Sequence, residues 1–164
     1  MSRRVFFFIM ILSSLFLLNG CISVTRVFTP LEGSFFSGPV NYEITRIDPG
    51  KTKAPDHFLQ ILKSYLEAGL RGEGLHDSSR PANYAVDILI KRYKMRAAFV
   101  RRHIGLFSGE DGIESSVVVI DKSTGNIIGE SYVTTSNIDT NTTMDDIARQ
   151  HARKIGRYLS GKDQ

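Results

Sequence analysis

The chain has 164 residues, 41% hydrophobic, 23% charged and 10% aromatic, with 14 Gly and 5 Pro. These values exclude collagen-like and Gly/Pro-rich disordered chains and leave room for one domain. A single Cys excludes an internal disulfide, a cysteine-based zinc site and an intrachain redox pair, and the formal charge of +4 is modest.

The amino terminus reads as an address. Arg3 and Arg4 form a positive region, and Val5 to Leu18 follows as an apolar run broken only by Ser13 and Ser14. Asn19, Gly20 and Cys21 then close the segment. A charged start, a short apolar run and a small residue before the cut describe a secretory signal. The run is shorter than the ~20 apolar residues needed to span a bilayer. It also lacks the polar face of a core helix.

Leu18-Asn19-Gly20-Cys21 resembles the lipobox of bacterial lipoproteins. The resemblance implies a diacylglyceryl group on the Cys21 sulfur, cleavage before Cys21, and acylation of the new amino group. Asn19 departs from the small or β-branched residue usual at that place in the family. On this reading residues 1–20 are a signal peptide, and the membrane is held through acyl chains on Cys21. Multiple chains matter because each buried methylene contributes ~0.8 kcal/mol and one chain alone holds only marginally. Ile22, rather than an aspartate, follows Cys21, and in this family that implies the periplasmic face of the outer membrane. Loss of Arg3 and Arg4 from the 21 basic residues leaves 19 against 17 acidic, a formal +2. That charge gives little reason to expect a nucleic-acid partner.

Residues 21–39 read as a lipidated tether, and 40–164 as the periplasmic domain. Pro30, Gly33, Gly38 and Pro39 argue against a long element in the tether, and Phe28, Phe35 and Phe36 are expected to pack on the domain. Val40 to Ile47 alternates as a strand, and Asp48-Pro49-Gly50 turns the chain. Pro55 to Leu70 is predicted helical, with Phe58, Ile61, Leu62, Tyr65 and Leu66 on one stripe and Gly69, Gly72 and Gly74 at its end. Tyr84 to Met95 reads as a long strand whose apolar parity switches near Lys91–Arg92, the mark of a β-bulge. Ala97 to Ser115 looks irregular. Ser116 to Asp121 is an apolar strand expected at a central position buried on both sides. Asp121 to Asn126 forms a hairpin turn into a strand over Ile127 to Thr135. Thr142 to Ser160 reads as the second helix, with Thr143 and Asp146 in capping-box spacing.

The order β-α-β-β-β-α predicts an α+β two-layer sandwich. A mixed four-stranded sheet would carry both helices on one face. The pattern resembles small envelope lipoproteins with an α/β fold like the amino-terminal domain of TolB. The carrying segments are Leu66 to Gly72, Ile88 to Arg96, Val117 to Asp121, Asp121 to Gly125 and Ile127 to Leu159. The resemblance implies a fold and a compartment, and no activity.

Chemistry is sparse. His57, His76, His103 and His151 show no ligand-pair spacing, so no metal and no cofactor are expected. His151 falls on the apolar stripe of its helix and reads as a core histidine. There is no nucleophile elbow and no free cysteine nucleophile, so no enzyme is expected. Glycines at 105–112 lack the Lys-Ser/Thr that follows in a phosphate loop. Glu110, Asp111 and Glu114 suit a solvated hairpin better than a cation site.

The densest feature is basic: Lys91, Arg92, Lys94, Arg96, Arg101 and Arg102 lie within twelve residues, interleaved with Tyr93 and Phe99. Two explanations remain open. Such charges protect a strand edge against unwanted pairing, or they face an anionic partner. The expected function is a non-enzymatic accessory or adaptor lipoprotein serving an envelope protein. The alternative is a binding module for a lipid headgroup or glycan through residues 91–103.

Overall fold

Alternating apolar residues build the sheet. The computed structural model describes residues 25–29, 31, 39–96, 110–137 and 141–162. Residues 1–20, read above as a signal peptide, and Cys21, Phe35, Phe36, Arg101, Arg102, His103 and the glycines at 105 and 109 lie outside the described residues. Five strands form one sheet: β1 (Thr25–Thr29), β2 (Tyr42–Asp48), β3 (Tyr84–Lys94), β4 (Asp111–Asp121) and β5 (Ile127–Asn137). Their order is β1-β5-β4-β3-β2. The β2–β3 pair is parallel and the other pairs are antiparallel, so the sheet is mixed. The expected β-α-β-β-β-α core is present.

β1 is an addition to that plan. It falls inside the expected tether and pairs with β5, Thr25 opposite Val133 and Val27 opposite Ser131. Thr25, Val27, Phe28 and Thr29 are strand-favouring types, and the open edge of β5 gives them a partner. Leu31, just beyond, is buried in the core.

β4 also begins earlier than expected, at Asp111 rather than Ser116. Gly112 and three acids give 110–114 the composition of a loop. Cross-strand partners decide otherwise, Ile113 lying opposite both Tyr93 and Thr135. β4 is central, yet only one face is sealed. Val117 and Val119 are buried, whereas Val118 and Ile120 keep partial exposure. The parity switch in β3 is a register shift between Ile90 and Arg92, the expected bulge.

Two helices cover the sealed face. α1 (Asp56–Gly72) buries Phe58, Leu62, Leu66 and Leu70. α2 (Met144–Leu159) buries Ile147, Ala148, Ala152, Ile155 and Leu159. Burying a side chain of this size is worth ~1.5–3 kcal/mol, so these stripes hold the layers together. Thr143 caps α2: its hydroxyl accepts from the Asp146 N–H at 3.1 Å, and Asp146 accepts from the Thr143 N–H at 3.1 Å. α1 runs through Gly69 to Gly72 and stops at Gly74, which has φ +72°. There the Leu75 N–H donates to the Leu70 carbonyl and the Gly74 N–H to Arg71, a Schellman closure.

Gly129 on β5 makes room for Leu31. A Cβ there would stand 2.4 Å from Leu31 Cδ2 and 2.6 Å from the Tyr158 hydroxyl. Only the absence of a side chain lets Leu31 and α2 close over the strand at that point.

Candidate interaction surface

The basic segment is divided by the fold. Lys91 and Lys94 are exposed. Arg92 is not free: its Nε donates to Glu114 at 2.6 Å, and a terminal nitrogen lies 3.5 Å from Glu110. The Tyr132 hydroxyl donates to the other oxygen of Glu114. This network lies on the sheet face opposite the helices.

Arg96 is inside the protein. Its backbone N–H donates to Asp111 Oδ1 at 2.6 Å, and its guanidinium donates to Oδ2 at 3.1 Å. The side chains of this pair are 3% and 0% exposed. The pair clamps the end of β3 to the start of β4. Arg96 therefore contributes no accessible positive charge to a contact surface. Of the four described candidates, Lys91 and Lys94 alone present their charge without an ion pair among the described residues. The acidic trio is not the solvated hairpin expected: Asp111 and Glu114 lie in β4, Asp111 is fully buried against Arg96, and Glu110 and Glu114 meet Arg92.

The three described histidines are not brought together. His57 is exposed on the first turn of α1, and His76 Nδ1 lies 2.8 Å from the Tyr42 carbonyl oxygen. His151 is fully buried, as its place on the α2 stripe indicates. Its Nε2 lies 2.7 Å from the Ser115 hydroxyl and its Nδ1 3.0 Å from the Thr135 hydroxyl. A neutral imidazole donates from one nitrogen and accepts at the other, so both hydroxyls are satisfied. Burial, then the Lys154 charge, pushes its pKa down to about 3. Ser115 is buried too, so this serine–histidine pair is closed to any substrate. No group of metal ligands occurs among the described residues. No helix among them is long and apolar enough to cross a membrane.

Two concavities went unread in the sequence. The first, about 560 Å³, lies beside β2 under the loop at 76–82. Buried Asn41 builds that loop, donating from Nδ2 to the carbonyls of Asp77, Arg80 and Pro81 and accepting from the Asp77 N–H. Ser79 bonds hold the Asp77 carboxyl down to about 2. Its charges are largely matched: Lys122 meets Glu43 at 2.8 Å, Arg80 meets Asp77 at 2.7 Å, and Lys63 meets Glu67 at 3.7 Å.

The second, about 310 Å³, is a groove between α1 and α2. Ala68, Gly69, Ala152 and Gly156 line its floor, with Arg149, Arg153 and Arg157 along the α2 side. Tyr65 marks one end, its hydroxyl bonded to Asp145 at 2.8 Å. At the other end Glu73 pairs with Lys162 at 2.5 Å.

No family model matches the chain, and comparison with curated proteins finds no match. Solved structures do resemble it. The PelC dodecamer from Paraburkholderia phytofirmans is 18% identical over 86% of this chain and 97% of that one, with a TM-score of 0.58. A Xanthomonas campestris protein of the DUF330 family is 10% identical over 82% of this chain and 90% of that one, with a TM-score of 0.53. A minor lipoprotein from Acinetobacter baumannii is 18% identical over 76% of this chain and 93% of that one; its TM-score of 0.43 is too loose to bear on the argument. At these identities the first two likenesses establish a shared fold across nearly the whole of each relative.

Proposed function

We propose that this chain is an envelope lipoprotein, anchored through Cys21 at the periplasmic face of the outer membrane, that serves a protein partner as a non-enzymatic accessory subunit. The observation that carries the proposal is the lipobox-like sequence Leu18-Asn19-Gly20-Cys21 at the end of the apolar run. Cys21 sits where a signal would be cut, four residues before Thr25, the first residue of β1. Among the described residues the serine–histidine pair is sealed from solvent, which supports binding over turnover. The anionic-ligand alternative through residues 91–103 loses support, because Arg92 and Arg96 are committed to carboxylates within the domain.

The test is crosslinking in intact cells with the lipidated chain and a Cys21→Ser control, followed by identification of what co-purifies. One stoichiometric envelope protein, lost in the control, is the expected result. A correctly anchored protein that captures no partner would overturn the accessory reading.

A further inference from the structure

The register of the sheet fixes which end of the domain lies next to the anchor. Thr25 stands opposite Val133, Val133 opposite Ser115, and Ser115 opposite Ile90. β1 therefore starts level with Ile90 of β3 and runs toward the far end, where β4 turns into β5. Four residues of chain separate Cys21 from Thr25. At ~3.3–3.6 Å per residue they reach about 14 Å at most. Three strand spacings of ~4.8 Å, again about 14 Å, carry the same row from β1 to β3. A bilayer that holds Cys21 is thus within reach of this whole end of the sheet.

Four lysines gather at that end. Lys91 and Lys94 follow Ile90 along β3. Lys51 and Lys53 lie on the turn after β2, where a Cβ on Gly50 would stand 3.0 Å from the Ile90 carbonyl oxygen. All four are exposed, and none has an ion pair among the described residues. The other lysines are engaged: Lys63 with Glu67, Lys122 with Glu43, Lys162 with Glu73, and Lys154 with the Thr134 carbonyl. Most acids near the four are already matched. Asp48 meets Arg46, and Asp146 meets Arg149. Glu110, Glu114 and Asp111 meet Arg92 or Arg96. Asp56 and Asp145 remain against four lysines. Two of those lysines, Lys51 and Lys53, stand outside the basic segment that the sequence displays.

We propose that the end of the domain carrying Lys51, Lys53, Lys91 and Lys94 seats on anionic phospholipid headgroups of the leaflet that holds the acyl chains. The inference rests on the Cys21 anchor and adds the orientation of the domain upon it. Lysine suits such a surface, because each ammonium is a point charge on a flexible stem and meets mobile phosphates without a fixed pocket. The attraction decays over ~8 Å at physiological salt, a range that the short tether keeps accessible. Acyl chains and a basic patch reinforce one another in holding a membrane. The loop at 76–82, at the opposite end, is thereby turned away from the bilayer.

The test uses the lipidated full chain in vesicles of phosphatidylcholine with phosphatidylglycerol, which also carry a headgroup spin label as quencher. Acylation of Cys21 leaves an introduced cysteine as the one free thiol, so a fluorophore is placed at His57→Cys, near Lys53, or at Thr124→Cys, in the β4–β5 turn. Quenching at 57 should exceed that at 124 about threefold or more, because β3 alone spans eleven residues, roughly 35 Å. Changing all four lysines to glutamine should lower quenching at 57 by about half or more, with flotation and melting temperature unchanged. Raised salt, or phosphatidylcholine alone, should do the same.

Equal quenching at both positions, or more at 124, would overturn the orientation and leave the anchor standing. Quenching at 57 that survives loss of the lysines, or is as strong without phosphatidylglycerol, would overturn the lysine contact. A chain that does not float with the vesicles would overturn the anchor and this proposal with it.

Discussion

His151 makes stability depend on pH from near neutrality downward, above the range in which the carboxylates held low begin to lose theirs. Its pKa is about 3 in the folded protein, against ~6.5 for an exposed histidine. The folded state therefore binds fewer protons than the unfolded state below pH ~6.5, and stability falls as pH falls. The slope is ~1.4 kcal/mol per pH unit, so the loss is ~2 kcal/mol at pH 5 and ~3 kcal/mol at pH 4. Above pH ~6.5 the contribution is complete. The carboxylates held low, such as Asp77, Asp121 and Asp146, have folded pKa values below their ordinary ones. They add their loss only under more acid conditions. Urea unfolding followed by far-ultraviolet circular dichroism at pH 7.5, 6.5, 5.5 and 5.0 should show the midpoint falling by roughly 1 M between the extremes. His151→Gln keeps polar atoms near Ser115 and carries no titrating group, so its midpoint should be lower but nearly flat across the range. Equal slopes in the wild type and the variant would refute the reasoning.

Other changes test the packing. Gly129→Ala should cost ~1–3 kcal/mol by overpacking against Leu31 and Tyr158; limited proteolysis should then cut sooner near residue 31. Asp111→Asn should cost ~3–5 kcal/mol, because it leaves the Arg96 guanidinium buried without its anion; denaturant melts read this directly. Thr143→Ala should cost ~1 kcal/mol through loss of the α2 cap. Hydrogen exchange should rise first at the Asp146 amide.

What the sequence made legible was local. The α2 cap follows from Thr143 and Asp146 at fixed spacing. The β3 bulge follows from a switch in apolar parity at Lys91. The helix-covered sheet follows from two single-sided stripes. Partners distant in sequence decided the rest. β1 exists because β5 offers an open edge, and nothing in residues 25–29 announces that edge. Asp111 begins a strand because Arg96 stands across from it, although its neighbours look like a loop. The basic segment showed charge but not accessibility, since one ion pair turns Arg96 inward. The groove drew on residues 65–73 and 149–160, which only the packing of α1 on α2 brings together. Its signal was the four-residue spacing of Arg149, Arg153 and Arg157, which reads on its own as an ordinary solvated helix face.

The account depends most on Cys21. The intact mass of the chain extracted from the membranes of its host, compared with a Cys21→Ser variant, tests it directly. A mature chain that starts at Cys21 and carries the mass of attached acyl chains, absent from the variant, is the predicted result. A full-length chain, or one cleaved elsewhere and free of lipid, would contradict the anchor and with it the accessory role built upon it.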